Sequence, residues 1–337
     1  MKKHKSKIGG QALIEGIMMR GLSKASIAVR EPSGNIFTET WAITNIANPK
    51  LHRKIPVIRG VFNFVETMAL GYKCLMKSAE IAIPDEEEFG DRDKADGDAV
   101  TEESVDRDKE DGVTEESGDR DKANGDEGSG FWFKLLMIVS MVAGVALAIG
   151  LFMYLPSLAV KGIYSLFDID NIYRSPIEGV IKITMFVSYM ALVSLMKDIK
   201  RVFQYHGAEH KAIFCYESGK ELTTENIRSY SRFHPRCGTS FLLIVIVLNI
   251  LVFSVVSWES LLIRTLLKLA LLPLIVGVSY ELIKFAGRHD NILTRIISAP
   301  GLFLQRITTR EPDDKQIEVA IAALTPVMPV NKDEDKW

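Results

Sequence analysis

The pentapeptide His206-Gly207-Ala208-Glu209-His210 puts two imidazoles and a carboxylate into five residues. On a helix, side chains four apart share a face, so His206 and His210 can bind one metal ion. The acid between them reproduces the His-x-x-Glu-His order of inverted zinc peptidases, in which the glutamate is the general base. Zinc catalysis takes three protein ligands and leaves a position for water, so this pair needs a third donor from elsewhere. The expected choices are His234 first and Glu281 second, with Cys237, His289 and Asp290 as further neighbours. The expected cofactor is therefore a divalent metal, zinc, and the expected base is Glu209.

Other readings of the same residues stay open at this point. Interfacial imidazoles also bond lipid headgroups or backbone, and Gly207 lowers helix propensity enough for the helix to break there. His234-Pro235-Arg236-Cys237 could cap the start of an apolar helix. Cys215 or Cys237 could be a nucleophile beside a histidine base. Cys74, Cys215 and Cys237 are odd in number and scattered, which argues against a disulfide framework and for a reducing compartment. No phosphate-cradling glycine loop, dinucleotide fingerprint or aromatic-basic surface stands out, so no nucleic-acid partner is expected.

The elements that must position these groups are mostly apolar helices. Leu135–Leu155 is free of charge and ends at Pro156. Gly179–Met196 carries only Lys182, and Cys237–Trp258 is uncharged. A fourth run is long enough only as Thr265–Ile283, with Lys268 and Glu281 near its ends. About 20 residues at ~1.5 Å each cross a bilayer core, so the pattern predicts about four transmembrane helices. The segment 197–236 holds eight Lys and Arg residues, and Lys284, Arg288, Arg295, Arg306 and Arg310 follow the last span. The opposite connections hold only Lys161 and Arg174, and Arg264 and Lys268. The positive-inside rule therefore predicts cytoplasmic N- and C-termini in a multi-pass protein of the cell membrane.

Charge is segregated too. The chain carries −2 over 337 residues. Residues 84–130 hold 20 acids and 6 bases, a balance of −14, which leaves +12 elsewhere. A basic remainder beside apolar spans suits an anionic leaflet, so membrane lipids are expected partners. Within 85–128, Asp-Arg-Asp-Lys recurs at 91, 106 and 119, and Thr-Glu-Glu-Ser at 101 and 114. Such composition cannot repay the entropy of folding, which predicts a disordered linker. A calcium-binding repeat is disfavoured because the regular glycine-containing loop is missing.

Ahead of the linker, residues 8–54 read as β-rich. Ser26–Val29 and Asn35–Trp41 flank the turn signal Glu31-Pro32-Ser33-Gly34, which predicts a hairpin. Pro56–Ala82 is an amphipathic helix that either covers the hairpin's core or lies on the membrane. Glu15, Arg20 and Glu66 could enter the site or pair within a core. Ile8–Arg20 carries Gln11 and Glu15 and has no small-residue cleavage site, so the start is expected to be retained. Pro312–Leu324 reads as a short packing helix with acids in its first turn.

The expected architecture is a mainly α-helical polytopic membrane protein with a small cytoplasmic α+β unit at 1–83. The linker at 84–130 follows, then a transmembrane region at 131–283 containing the cytoplasmic segment 197–236, and a cytoplasmic tail at 284–337. Gly9-Gly10-Gln11-Ala12-Leu13-Ile14-Glu15-Gly16-Ile17-Met18-Met19-Arg20-Gly21 resembles the opening signature of the bacterial YqhQ family. Tyr205–Lys211, His234–Ser240 and Thr309–Asp314 resemble further motifs of the same family. The resemblance runs over nearly the whole chain outside the acidic insert. It implies a membrane protein of a domain family of unknown function that is described as a predicted metal-dependent enzyme. The expected function is a metal-dependent hydrolase at the cytoplasmic membrane face. The alternative is a scaffold whose His- and Arg-rich cytoplasmic interface binds a partner protein or anionic lipid.

Overall fold

The computed structural model describes residues 5–43, 54–83, 127–167, 173–255, 261–289 and 291–329. The acidic repeats, Asp290 and the last residues of the tail lie outside them. Two compact units divide the chain, one of residues 85–158 and one of the remainder.

Strands β1 (Gly9–Leu13), β2 (Gly16–Arg20), β3 (Lys24–Arg30) and β4 (Ile36–Ala42) form an antiparallel meander in chain order. The expected hairpin is β3–β4, paired with Ile27 opposite Glu39. Its turn closes at Gly34, whose φ of 91° needs a residue without Cβ. Strands β1 and β2 were not expected as such. Strand β2 lies between two packed layers, so residues on both its faces are apolar and no alternation marks it, while β1 is mostly small and polar with only Leu13 buried.

One face of the sheet, with Ile17, Met19 and Ala28, shares a core with Tyr205, Ala208 and Ala212 of α5 (Lys197–Glu217). The same core takes in Ile317, Ala320 and Leu324 of α10 (Asp314–Leu324). The other face, with Leu13, Met18, Ile27 and Val29, receives Cys74 of α1 (Ile58–Ala82). Helix α1 thus covers the sheet, with Leu70 and Ile81 packed beside Cys74. Gly60, Gly71, Cys74 and Ser78 are buried, while Phe62, Val65, Met68 and Tyr72 of its apolar stripe stay exposed.

Helix α2 (Glu127–Ile149), in the smaller unit, passes through a wider turn at Gly150–Tyr154 and continues into α3 (Leu155–Leu166). Pro156 was expected to end this span, yet helix continues past it to Leu166. The wider turn has already interrupted the regular hydrogen-bond ladder, so the missing proline N–H costs little there. Helices α4 (Arg174–Val193), α6 (Thr224–Arg228), α7 (Gly238–Val255), α8 (Leu261–Arg288) and α9 (Ile292–Thr308) complete the chain. Among the described residues, three helices are long and apolar enough to cross a membrane: Val139–Leu166, Pro176–Val193 and Leu269–Arg288. Of the expected span Cys237–Trp258, residues 256–258 lie outside the described residues, and within them the apolar run in α7 is Gly238–Phe253.

Candidate metal centre

Helix α5 runs unbroken through Gly207, and every residue from Tyr205 to Ile213 is buried. The expected break at Gly207 does not occur. A Cβ there would lie 2.1 Å from the Arg310 carbonyl oxygen, so glycine lets the 309–312 segment press against the helix. The cost in helix propensity, about 1 kcal/mol, is offset by that packing.

The two histidines stack one turn apart, with ring centroids 4.4 Å from each other. Nδ1 of His206 lies 2.8 Å from the Thr308 carbonyl oxygen, and Nδ1 of His210 lies 2.5 Å from that of Arg232. A carbonyl only accepts, so each Nδ1 carries a proton, and in the neutral ring Nε2 is the nitrogen with the free lone pair. Nε2 of His206 is 3.1 Å from Sγ of Cys237. His206, His210 and Cys237 each offer a ligand atom within 4.8 Å of the others. Cys237 precedes α7, and its sulfur accepts the Thr239 N–H at 3.4 Å and lies 3.2 Å from the Thr239 hydroxyl.

Glu209 is almost fully buried on the same helix. Burial raises its carboxyl above the ordinary range, while the charge of His206 and the Gly10 N–H oppose that rise. A Cβ on Gly10 would approach the Glu209 carboxyl carbon to 3.0 Å and the Met18 carbonyl oxygen to 2.7 Å. Glycine at position 10 is thus what admits the Glu209 carboxylate beside β1.

His234, the first-choice third donor, is placed differently. Its backbone N–H donates to Gln305 at 2.7 Å, and the Gln305 amide donates back to its carbonyl at 2.7 Å. Both ring nitrogens meet Arg236, Nδ1 accepting its backbone N–H at 3.3 Å and Nε2 lying 3.3 Å from its guanidinium. The ring stacks between His210, at 5.4 Å, and Phe214, at 4.6 Å. Burial, with His210, Arg236 and His206 nearby, pushes His234 well below the usual imidazole range. Arg236 in turn pairs with buried Glu217 and donates to the Ser6 carbonyl at 2.7 Å.

Glu281, the second choice, binds Arg59 of α1 through both carboxylate oxygens. His289 is exposed, with Nδ1 on the Phe285 carbonyl of its own helix. Glu15 pairs with Arg201 and accepts the Tyr205 hydroxyl at 3.0 Å. Arg20 faces Glu66 and Thr67, each at 3.5 Å. Neither Glu15 nor Arg20 pairs with the other. The groups that sequence reasoning missed are the carbonyls of Thr308 and Arg232 and the side chain of Gln305. Backbone acceptors have no residue signature, so only the fold could reveal the first two.

Residues 55–330 match a family profile described as "Protein of unknown function (DUF1385)". The chain belongs to the DUF1385 family. The matched range holds the whole His206, His210 and Cys237 group but not the sheet that packs behind it. Over 333 residues the chain is 32% identical to the protein named "Uncharacterized protein YqhQ" of Bacillus subtilis (strain 168), covering 97% of this chain and 95% of that one. No solved structure matches this DUF1385 chain.

Proposed function

We propose that this protein is a multi-pass protein of the cell membrane that holds zinc and uses it for hydrolysis at the cytoplasmic face. The observation that carries the reading is the pair of backbone carbonyls behind His206 and His210. They hold a proton on Nδ1 of both imidazoles, which turns Nε2 of His206 to the buried Cys237 thiol and leaves Nε2 of His210 as that ring's free donor. Ligating histidines usually have such a partner at the second nitrogen. Two imidazoles and a thiol are donors that zinc accepts, and three protein ligands suit a catalytic rather than a closed structural site. When bound, the ion would supply a Lewis acid and a water that ionises near neutrality. Glu209, its carboxyl raised by burial, is the group to take and return the proton.

Membrane placement is supported by the apolar helices and by the Lys and Arg distribution. The N-terminal sheet, α5 and α10 share one core, as expected if residues 5–43, 197–236 and 309–329 occupy the same side.

Metal analysis of the purified full chain tests the centre. The wild type should carry about one zinc per chain, as a site of this ligand number does. His206→Ala, His210→Ala and Cys237→Ala should lose it, while His234→Ala, Glu281→Ala and Glu209→Gln retain it. Cobalt substitution should give a thiolate charge-transfer band that Cys237→Ser abolishes. Absence of a stoichiometric transition metal from the wild type would sink this reading and leave the scaffold alternative. A metal-free protein whose Cys237 is alkylated in a His206-dependent way would instead favour a thiol nucleophile, which the 3.1 Å contact between the two also fits.

A further inference from the structure

Helix α9 is inside out for a helix facing water. Its buried residues are Thr294, Ser298, Gly301, Leu304, Gln305 and Thr308. Its exposed ones include Ile292 at 74%, Leu293 at 52%, Ile296 at 62% and Phe303 at 60%. A surface helix of a soluble protein carries the opposite pattern. With turns of about 3.6 residues, the exposed apolar side chains form one sector, and Arg295 and Arg306 line one flank of it. Arg306 lies over the Phe303 ring, 6.0 Å from its centroid. The small polar sector faces the protein, where Gly301 lets α9 press against Ser240 of α7. Polar residues inward, apolar residues outward and small residues at the helix contact are the arrangement that a lipid surrounding imposes.

The path of the chain decides between crossing and lying flat. At the end of α8, the Gly287 carbonyl accepts Lys5 at 3.1 Å, and the adjoining Ser6 N–H, just ahead of β1, donates to Glu217 of α5 at 2.7 Å. The end of α8 is therefore on the side of the sheet. At the other end of α9, the Thr308 carbonyl holds His206 of α5. Both ends of α9 reach the same side, so α9 does not cross, although its 17 residues would extend about 26 Å at ~1.5 Å each.

We propose that α9 lies flat in the headgroup boundary of an anionic phospholipid bilayer. Ile292, Leu293, Ile296 and Phe303 enter the acyl chains, and Arg295 and Arg306 meet the phosphates. Interfacial helices combine such an apolar face with basic residues along its edge. The proposal rests on the membrane reading above and not on the metal. The opposite face of α9 holds His206 through Thr308 and His234 through Gln305, so the centre lies about one helix diameter, ~10 Å, from lipid.

The test is nitroxide accessibility in the full chain, reconstituted into vesicles of mixed zwitterionic and anionic phospholipid. A ketone-bearing residue introduced by codon suppression carries the label and leaves the native cysteines in place. Labels go at Ile296 and Phe303, at exposed Leu274 within the α8 span, and at exposed Glu318 of α10. Oxygen concentrates in lipid and a nickel chelate in water. The oxygen-to-nickel ratio should be low at 318, raised at 296 and 303, and highest at 274. If 296 and 303 read like 318, their face is in water and the proposal falls. If they are closed to both reagents, protein covers them, and it falls equally. A ratio at 296 and 303 equal to that at 274 overturns the flat placement. If 274 itself reads like 318, the membrane reading fails and takes this one with it, whatever the metal content.

Discussion

Gly207→Ala tests whether the fold, rather than helix propensity, dictates the residue between the two histidines. In an isolated helix the change stabilises by about 1 kcal/mol. Here the new Cβ would sit 2.1 Å from the Arg310 carbonyl oxygen, where ordinary contact begins near 3.4 Å. If the 309–312 segment gives all the ground, it moves about 1.3 Å, the difference of those two distances. The Arg310 N–H bond to the Phe203 carbonyl, 2.8 Å, lies on that segment, and the Thr308 carbonyl bond to His206, also 2.8 Å, adjoins it. A shift of that size transmitted along either bond would carry it to about 4.1 Å, past hydrogen-bonding range. Two lost bonds at ~1 kcal/mol each, with overpacking of ~1–3 kcal/mol, outweigh the propensity gain. The expected net loss is about 2–4 kcal/mol. Denaturant unfolding of the detergent-solubilised protein measures it, and zinc content should fall in parallel because His206 loses the carbonyl that orients it. An alanine variant as stable as the wild type, with equal metal occupancy, would refute the packing argument.

Two further outcomes follow from other parts of the fold. Burial alone would raise the Glu15 carboxyl, but Arg201 and Tyr205 outweigh it and hold the group below its ordinary value of 4.5. A depressed carboxylate stabilises above its unfolded value and loses that contribution as pH falls through the folded one. Glu15→Gln should therefore flatten the acid limb of a stability-versus-pH curve, and an unchanged limb would count against the pairing. For topology, single cysteines at Asp168 and Glu259 should react with an impermeant maleimide added to intact cells, while one at Lys220 is protected. The reverse pattern would invert the orientation.

Much of this was legible in the sequence, and the exceptions have physical causes. The His206–His210 pair was readable because helical spacing alone puts the two on one face. Which side chain stands beside the pair was not, because choosing among residues at the helix junctions needs to know where each side chain is already committed. His234 looked better than Cys237 on residue type, yet Arg236 engages both its ring nitrogens. Glu281 looked available until Arg59 arrived from α1, more than 200 residues away in sequence. The β3–β4 hairpin announced itself through Gly34, whereas β2 was silent because both its faces are covered and β1 because Gly9, Gly10 and Gln11 carry no strand pattern. Helix α9 hid for a related reason: its apolar residues and its buried residues are different sets, so reading apolar as inward would assign its faces backwards.

The four segments that carry the family resemblance meet around α5, and their contacts give each a physical reason. From the first, Gly10 admits the Glu209 carboxylate, and Glu15 ties the β1–β2 turn to Arg201 and Tyr205. The second is α5 itself. The third brings Cys237 to His206, while Arg236 beside it locks to Glu217 and Ser6. The fourth supplies Arg310 against Gly207, and Glu311, which binds buried Lys211 at 2.7 Å and Arg232 at 3.3 Å. Arg232 is also the residue whose carbonyl orients His210. Glu311 thus draws the fourth segment, the loop behind His210 and α5 together through one carboxylate. A helix with a buried lysine one residue beyond the second histidine would pay a large desolvation cost without that partner. Such a cost is hard to account for in a purely mechanical packing helix. It is easier to account for where two imidazoles are to be held in one orientation, since the Thr308 carbonyl restrains His206 and Glu311, through Arg232, restrains the backbone that orients His210.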